Sequence, residues 1–168
     1  MAFIVLADHK PFPPLLNRTN AAAPQLATRT STWLNPMMSQ TRCPFCNLEQ
    51  SRIRLENEFG VSLPDAFPVA VGHTLVIPKR HVASLFDLPA EEQAAIWRLV
   101  AQVRDKLVSE LHPDGFNVGV NDGSAAGQTV MHAHVHVIPR WKDDVADPRG
   151  GVRWIMPDKA PYWAEGQK

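Results

Sequence analysis

Residues 128–139 read Gln128-Thr129-Val130-Met131-His132-Ala133-His134-Val135-His136-Val137-Ile138-Pro139, and the alternation in their second half decides how the fold is read. Side chains two apart on a strand share a face. His132, His134 and His136 therefore form one row, about 6.6 Å between alternate positions at ~3.3 Å rise per residue. Ala133, Val135 and Val137 turn the other way, into a core. A lone strand histidine is ordinarily a polar residue on a wet face. Three in register, in a chain holding seven histidines among 168 residues, point to a site.

Working outward, residues 121–127 (Asn121-Asp122-Gly123-Ser124-Ala125-Ala126-Gly127) form a small, glycine-rich loop ahead of that strand. Residues 115–120 alternate as another strand. Upstream lies the one convincing helix, opened by Leu88-Pro89-Ala90-Glu91-Glu92 and running to about His112-Pro113. Ile96, Trp97, Val100, Val103 and Leu107 supply its apolar stripe. Strands are expected at 73–77, where Pro78 ends the run, at 61–67 with a break at Pro64-Asp65, and at 52–58 through Ile53 and Leu55. The order β-β-β-α-β-β predicts an α+β domain: an antiparallel sheet with one main helix packed on it.

Outside this domain, expected at 41–142, the pattern changes. Residues 1–40 carry Pro11, Pro13, Pro14, Pro24 and Pro36 and read as a proline-rich extension, with Phe3 to Leu6 able to dock as an edge strand. The tail, 143–168, is expected to wrap the surface with Trp154, Tyr162 and Trp163 inserted. Seventeen basic residues balance seventeen acidic ones, which argues against a nucleic-acid polymer or a membrane surface as partner. No apolar run approaches the ~20 residues of a spanning helix. The first residues lack a basic secretory n-region, so a cytoplasmic protein is expected. His9 and His112 have no motif around them and read as surface residues.

Both cysteines sit in Cys43-Pro44-Phe45-Cys46, which alone is either a redox pair or half of a zinc site. The histidine row likewise admits two chemistries: metal ligation, or attack by one imidazole while its neighbours stabilise charge. The loop favours the second. Backbone N–H groups at Gly127 can nest phosphate oxygens, and Asn121, Ser124, Gln128 and Thr129 can donate further bonds.

The segment His132-Ala133-His134-Val135-His136-Val137-Ile138 resembles the signature of the histidine-triad (HIT) family of nucleotide hydrolases and transferases. The likeness extends to Ala126-Gly127-Gln128-Thr129, to Ile138-Pro139-Arg140 and to Gly72-His73-Thr74-Leu75-Val76-Ile77-Pro78-Lys79-Arg80-His81, over roughly 43–142. It implies a meander sheet, a homodimer formed through the helix and neighbouring strand, and cleavage at a nucleotide's α-phosphate. Substrates would be dinucleoside polyphosphates, nucleoside phosphoramidates or similar conjugates. By resemblance His134 is the nucleophile, oriented by the carbonyl of His132, and His136 contacts the phosphate oxygens. Gln128 and Thr129 lie by the leaving group, Asp65 binds the ribose hydroxyls, and Phe67 and Leu63 flank the base. Zinc-bearing relatives imply a structural Zn2+ on Cys43, Cys46, His81 and His132, which leaves His73 to support the triad by hydrogen bonding. A nucleotidyltransferase, a zinc-dependent hydrolase with the triad as ligands, and a nucleotide-binding protein with little turnover stand as alternatives.

Overall fold

The computed structural model describes residues 43–163, so expectations for residues 1–42, His9 and the edge strand among them, lie outside the described residues. Five strands form one antiparallel sheet: β1 (Leu55–Glu56), β2 (Gly60–Pro64), β3 (Thr74–Pro78), β4 (Gly115–Val120) and β5 (Val135–Arg140). The spatial order is β1-β2-β3-β5-β4. The first three strands make the expected meander. The last two make a hairpin whose second strand sits beside β3, which leaves β4 at the edge.

One helix, α1 (Ala90–Leu111), crosses between β3 and β4. Pro89 precedes it, Glu91 and Glu92 lie in its first turn, and His112 closes it in the left-handed region at φ 49°. Its buried stripe is Ile96, Leu99, Val100, Val103 and Leu107, packed on Val76, Val135 and Val137 of the sheet. Trp97, expected in that stripe, is half-exposed, because one residue beyond Ile96 turns ~100° away from the core face. Gly72, at φ +79°, turns the chain into β3 where any Cβ would come within 2.5 Å of Leu111 Cδ1.

The opposite face of the sheet carries Val61, Leu63, Leu75 and Ile77, covered by Phe45, Leu48 and Ile53 of the leading segment. His136 pairs across the ladder with Leu75, so it belongs to this second face, away from the helix. Arg80 grips Glu92 in two hydrogen bonds of 3.0 and 2.6 Å, tying the turn after β3 to the start of α1. That hydrogen-bonded guanidinium holds the Glu92 carboxyl below its ordinary range.

Three expected strands are shorter than their patterns. Of 52–58 only two residues pair, because Asn57 Oδ1 accepts the N–H groups of Phe59 and Gly60 and turns the chain. The second strand ends at Pro64, beyond which Asp65 Oδ1 accepts the Phe67 N–H in a further turn. The histidine strand begins its ladder only at Val135. Ahead of it the Ala133 N–H goes to Val82 O at 2.7 Å, and the Pro78 carbonyl, which a longer ladder would use, accepts from the His132 ring at 2.8 Å. Side chains 133, 135 and 137 do enter the core, each 1% exposed or less.

Candidate active site and metal centre

The histidine row divides into two groups. His132 is fully buried and donates from Nε2 to the Pro78 carbonyl, so its Nδ1 is the bare nitrogen. That nitrogen lies 3.5 Å from Cys43 Sγ and 3.6 Å from Cys46 Sγ. His81 Nδ1 stands 3.1 Å from Cys46 Sγ. All four donor atoms lie within 4.8 Å of one another. A tetrahedral ion holding two thiolates and two imidazoles at ordinary bond lengths sets sulfur–nitrogen edges of about 3.6 Å. The donor set fits zinc. Burial and the neighbouring Cys43 push the Cys46 thiol up to about 11, so that sulfur would become a ligand only as an incoming cation displaced its proton.

The second group is built by hydrogen bonds that fix each ring's proton. His134 Nδ1 donates to the His132 carbonyl at 2.8 Å, so its Nε2 keeps a free lone pair. The Val69 N–H donates to His73 Nδ1 at 3.3 Å, which puts the His73 proton on Nε2. That N–H donates to His136 Nδ1 at 3.0 Å, with Asp65 Oδ2 3.4 Å away. The proton of His136 therefore sits on Nε2, a buried atom with no protein partner. The His134 and His136 rings are 5.0 Å apart between centroids. A ring with a bare nitrogen is thus set beside a ring with an unpartnered N–H.

Burial holds both His73 and His136 below the ordinary histidine range, opposed in each case by the Asp65 carboxylate; His134 adds to the depression at His136. Both rings are neutral at pH 7. Asp65, His73 and His136 offer three donor atoms close enough for a metal. The proton that Val69 places on His73 Nε2 makes that nitrogen a donor rather than a ligand.

The loop places the remaining residues. Gly127, at φ +89°, caps a short turn at Ser124–Ala126, a conformation glycine adopts without strain. Gln128, expected by the leaving group, is buried and engaged at both ends: its Oε1 accepts the Gly123 N–H at 2.8 Å and its Nε2 donates to Ala83 O at 2.7 Å. It braces the loop. Asn121 and Gly127 line a cleft beside His136 and His73, while Ser124 and Thr129 stand exposed. Of the two expected base neighbours, Leu63 is core, 1% exposed in the cluster with Val61 and Leu75. Phe67 is 88% exposed at the turn that Asp65 makes. His112 is exposed as expected.

Sequence reasoning missed three contributors. Phe45 sets its ring edge-on to both His132 and His134, at 5.9 and 5.3 Å, and so sits between the two groups. Its place inside the Cys-x-x-Cys spacing was the available signal. Val69 acts through its backbone, which no side-chain pattern reports. In the tail, Trp154 and Tyr162 stay exposed; Val152, Ile155 and Met156 line the cleft instead.

Comparison with known proteins agrees with this geometry. The HIT domain pattern matches residues 49–143. A bis(5'-adenosyl)-triphosphatase of Dictyostelium discoideum is 35% identical over 115 residues, 68% of this chain and 71% of that protein. Adenylylsulfatase HINT3 of Arabidopsis thaliana is 36% identical over 109 residues, 62% of this chain but 55% of that one. Among solved structures, a zinc-bound histidine triad family protein of Mycobacterium smegmatis is 38% identical, with a TM-score of 0.58 over 64% of this chain and 81% of that one. With the sheet, the helix and the histidine segment all in place, the chain belongs to the HIT domain family, whose members include nucleotide hydrolases.

Proposed function

We propose that this protein is a nucleotide hydrolase that cleaves nucleotide conjugates at the α-phosphate through a covalent nucleotidyl-His134 intermediate. One observation carries the reading: the His134 ring, whose Nε2 is bare, lies 5.0 Å between centroids from the His136 ring, whose Nε2–H has no protein partner. His134 attacks phosphorus with its lone pair while His136 donates to a non-bridging oxygen, where charge builds. The leaving group departs with its bonding pair, and water then attacks the phosphorus to release the nucleotide and restore the ring. Gly127 and Asn121 approach the phosphate from the loop, Gln128 keeps that loop in shape, and Thr129 stands at its end. Asp65 reaches the ribose side while steadying His73, and Phe67 is the exposed face open to a base.

When bound at Cys43, Cys46, His81 and His132, zinc would supply a structural tie between the leading segment and the active segment. The four protein donors leave no open position, as in structural zinc sites. Through His132 this tie holds the carbonyl that orients His134. Neither His134 nor His136 belongs to this four-donor cluster, which weighs against a mechanism with the whole triad as metal ligands.

A cytoplasmic setting, where thiols stay reduced, suits this use of the cysteines. Among the described residues no helix is long and apolar enough to cross a membrane. We take the functional unit to be 41–142, extended by 143–168, and to act as a homodimer. The open edge of β4 and the half-exposed Trp97 on α1 support that assembly.

Incubation with substrate carrying phosphate-32 at the α-position should trap label on the protein, and His134→Ala should abolish it. Turnover retained in that variant would remove His134 as the nucleophile.

A further inference from the structure

His73 holds one ring proton and stands between two acceptors. The Val69 N–H occupies its Nδ1 at 3.3 Å, so the proton stays on Nε2. From there His136 Nδ1 lies 3.0 Å away and Asp65 Oδ2 3.4 Å. The same carboxylate oxygen is 3.8 Å from His136 Nδ1. Three side chains thus meet around a single N–H, brought there by different parts of the sheet: Asp65 follows β2, His73 precedes β3 and His136 lies within β5.

Asp65 is short of donors. Its Oδ1 accepts the Phe67 N–H at 2.8 Å, and among the described residues no lysine or arginine pairs with either oxygen. A carboxylate has room for about four hydrogen bonds. The side chain is 14% exposed and lines a recess of about 510 Å3, so solvent reaches the carboxylate of the free protein. A bound nucleotide excludes that solvent. The carboxylate must then find donors on the ligand or draw them from the protein, because covering an ionised group without partners is costly. The His73 N–H is the side-chain donor within its reach.

Two proton arrangements follow. In one, His73 donates to His136, and the His136 proton sits on Nε2, where it can meet a phosphate oxygen. In the other, His73 donates to Asp65, the charge beside His136 Nδ1 draws the His136 proton onto that nitrogen, and Nε2 is left bare. The second arrangement puts bare nitrogens on both His134 and His136 and removes the donor to the developing oxyanion.

We infer that Asp65 couples recognition of the sugar to chemistry at phosphorus: hydroxyls that donate to its carboxylate release the His73 N–H to His136, so a nucleotide without them loses turnover rate as well as affinity. This rests on the reading of His134 as nucleophile and of Asp65 as the ribose contact. The hydroxyls need touch neither reacting atom. They act through Asp65, then His73, then the tautomer of His136, which makes Asp65 and His73 positioning residues for the donor. Binding energy from a part of the substrate remote from the breaking bond is then expressed in the transition state. The bistable element is small, one proton on either of two ring nitrogens, and the ligand biases it by whether it satisfies the carboxylate.

The test uses the full chain and three p-nitrophenyl esters, of adenosine 5'-monophosphate and of its 2'-deoxy and 2',3'-dideoxy forms, so that the leaving group is constant. The p-nitrophenolate burst at saturating substrate reports attack by His134. Removing both hydroxyls should slow that burst by about tenfold as well as raise KM, with the 2'-deoxy ester between. In His73→Ala all three bursts should be slow and their rates should close to within about twofold of one another, while the KM ratio stays. Nitrogen-15 NMR of the rings in the unaltered protein gives a readout without turnover. The His136 proton should sit on Nε2 with adenosine monophosphate bound and on Nδ1 with the 2',3'-dideoxy monophosphate. A sugar effect confined to KM overturns the inference, as does an equal rate loss in His73→Ala or a single His136 tautomer with both monophosphates. In each of these cases a burst from the unaltered chain, with label trapped on His134, leaves the hydrolase reading standing; no burst with any ester removes both.

Discussion

His132 and His134 are two residues apart on one segment, yet their surroundings give them opposite uses. His132 spends its N–H on the Pro78 carbonyl and turns a bare nitrogen towards two sulfurs. His134 spends its N–H on the His132 carbonyl and keeps its Nε2 bare, its ring 5.0 Å from that of His136. The same ring serves either role; which nitrogen the backbone claims, and what faces the other, decides between them. The two groups are joined by one peptide unit, since the carbonyl that orients His134 belongs to His132, one of the four clustered donors. Damage should therefore pass from the metal group to the catalytic group more readily than the reverse.

Cys46→Ala gives the largest effect expected of this asymmetry. It removes one of the four clustered donors and leaves His81 without the sulfur that stands 3.1 Å from its Nδ1. Metal content should fall close to zero and Tm by about 10 °C or more, since structural metal binding contributes to folding. Label trapping on His134 should fall with it. A variant that retained both metal and Tm would show that this cluster is held by packing alone.

His136→Ala cuts the comparison on its other side. The side chain donates to nothing in the protein through Nε2, so its loss should leave metal content unchanged while kcat drops by about 10²–10³-fold, the usual cost of removing one donor to a developing oxyanion. A drop in metal content, measured on the purified variant, would mean that the two groups are one unit.

Of the metal group, a linear reading reported only Cys43 and Cys46, as a redox pair or half of a zinc site; His81 and His132 joined them through the family resemblance. The alternation of Ala133, Val135 and Val137 likewise reported the core face correctly, even though pairing begins only at Val135. What stayed hidden depends on the backbone and on distant packing. The Pro78 carbonyl that stops the ladder, the Val69 N–H that sets the His73 tautomer and the bracing role of Gln128 belong to main-chain groups brought together by folding. Trp97 misled because an aromatic next to a stripe counts as apolar in composition, whereas one residue of helical rotation exposes it. The tail misled in part: Trp163 is half-buried beside Gly150 as expected, but Trp154 and Tyr162 stay exposed and the aliphatic residues reach the cleft instead.

The smallest effect expected comes from His73, which touches neither phosphate nor metal and acts through His136. His73→Ala removes the donor that keeps the His136 proton on Nε2, and kcat should fall by about 10–100-fold, the range for a positioning partner. His73→Gln keeps an N–H near the same point and should restore most of that loss; a merely space-filling role would make the two variants alike. The pair also gives stability a pH dependence with a definite sign. Burial keeps both rings below the ordinary histidine range, so unfolding in mild acid takes up protons that the folded pair refuses. The stability this represents is fully present above about pH 6.5 and declines as the pH falls towards the lowered folded values. Removing one of the two rings removes one of the protons. Between pH 7 and 5 the Tm of His73→Gln should therefore fall less than that of the unaltered protein, and parallel slopes would mean that His73 is not part of the titrating pair.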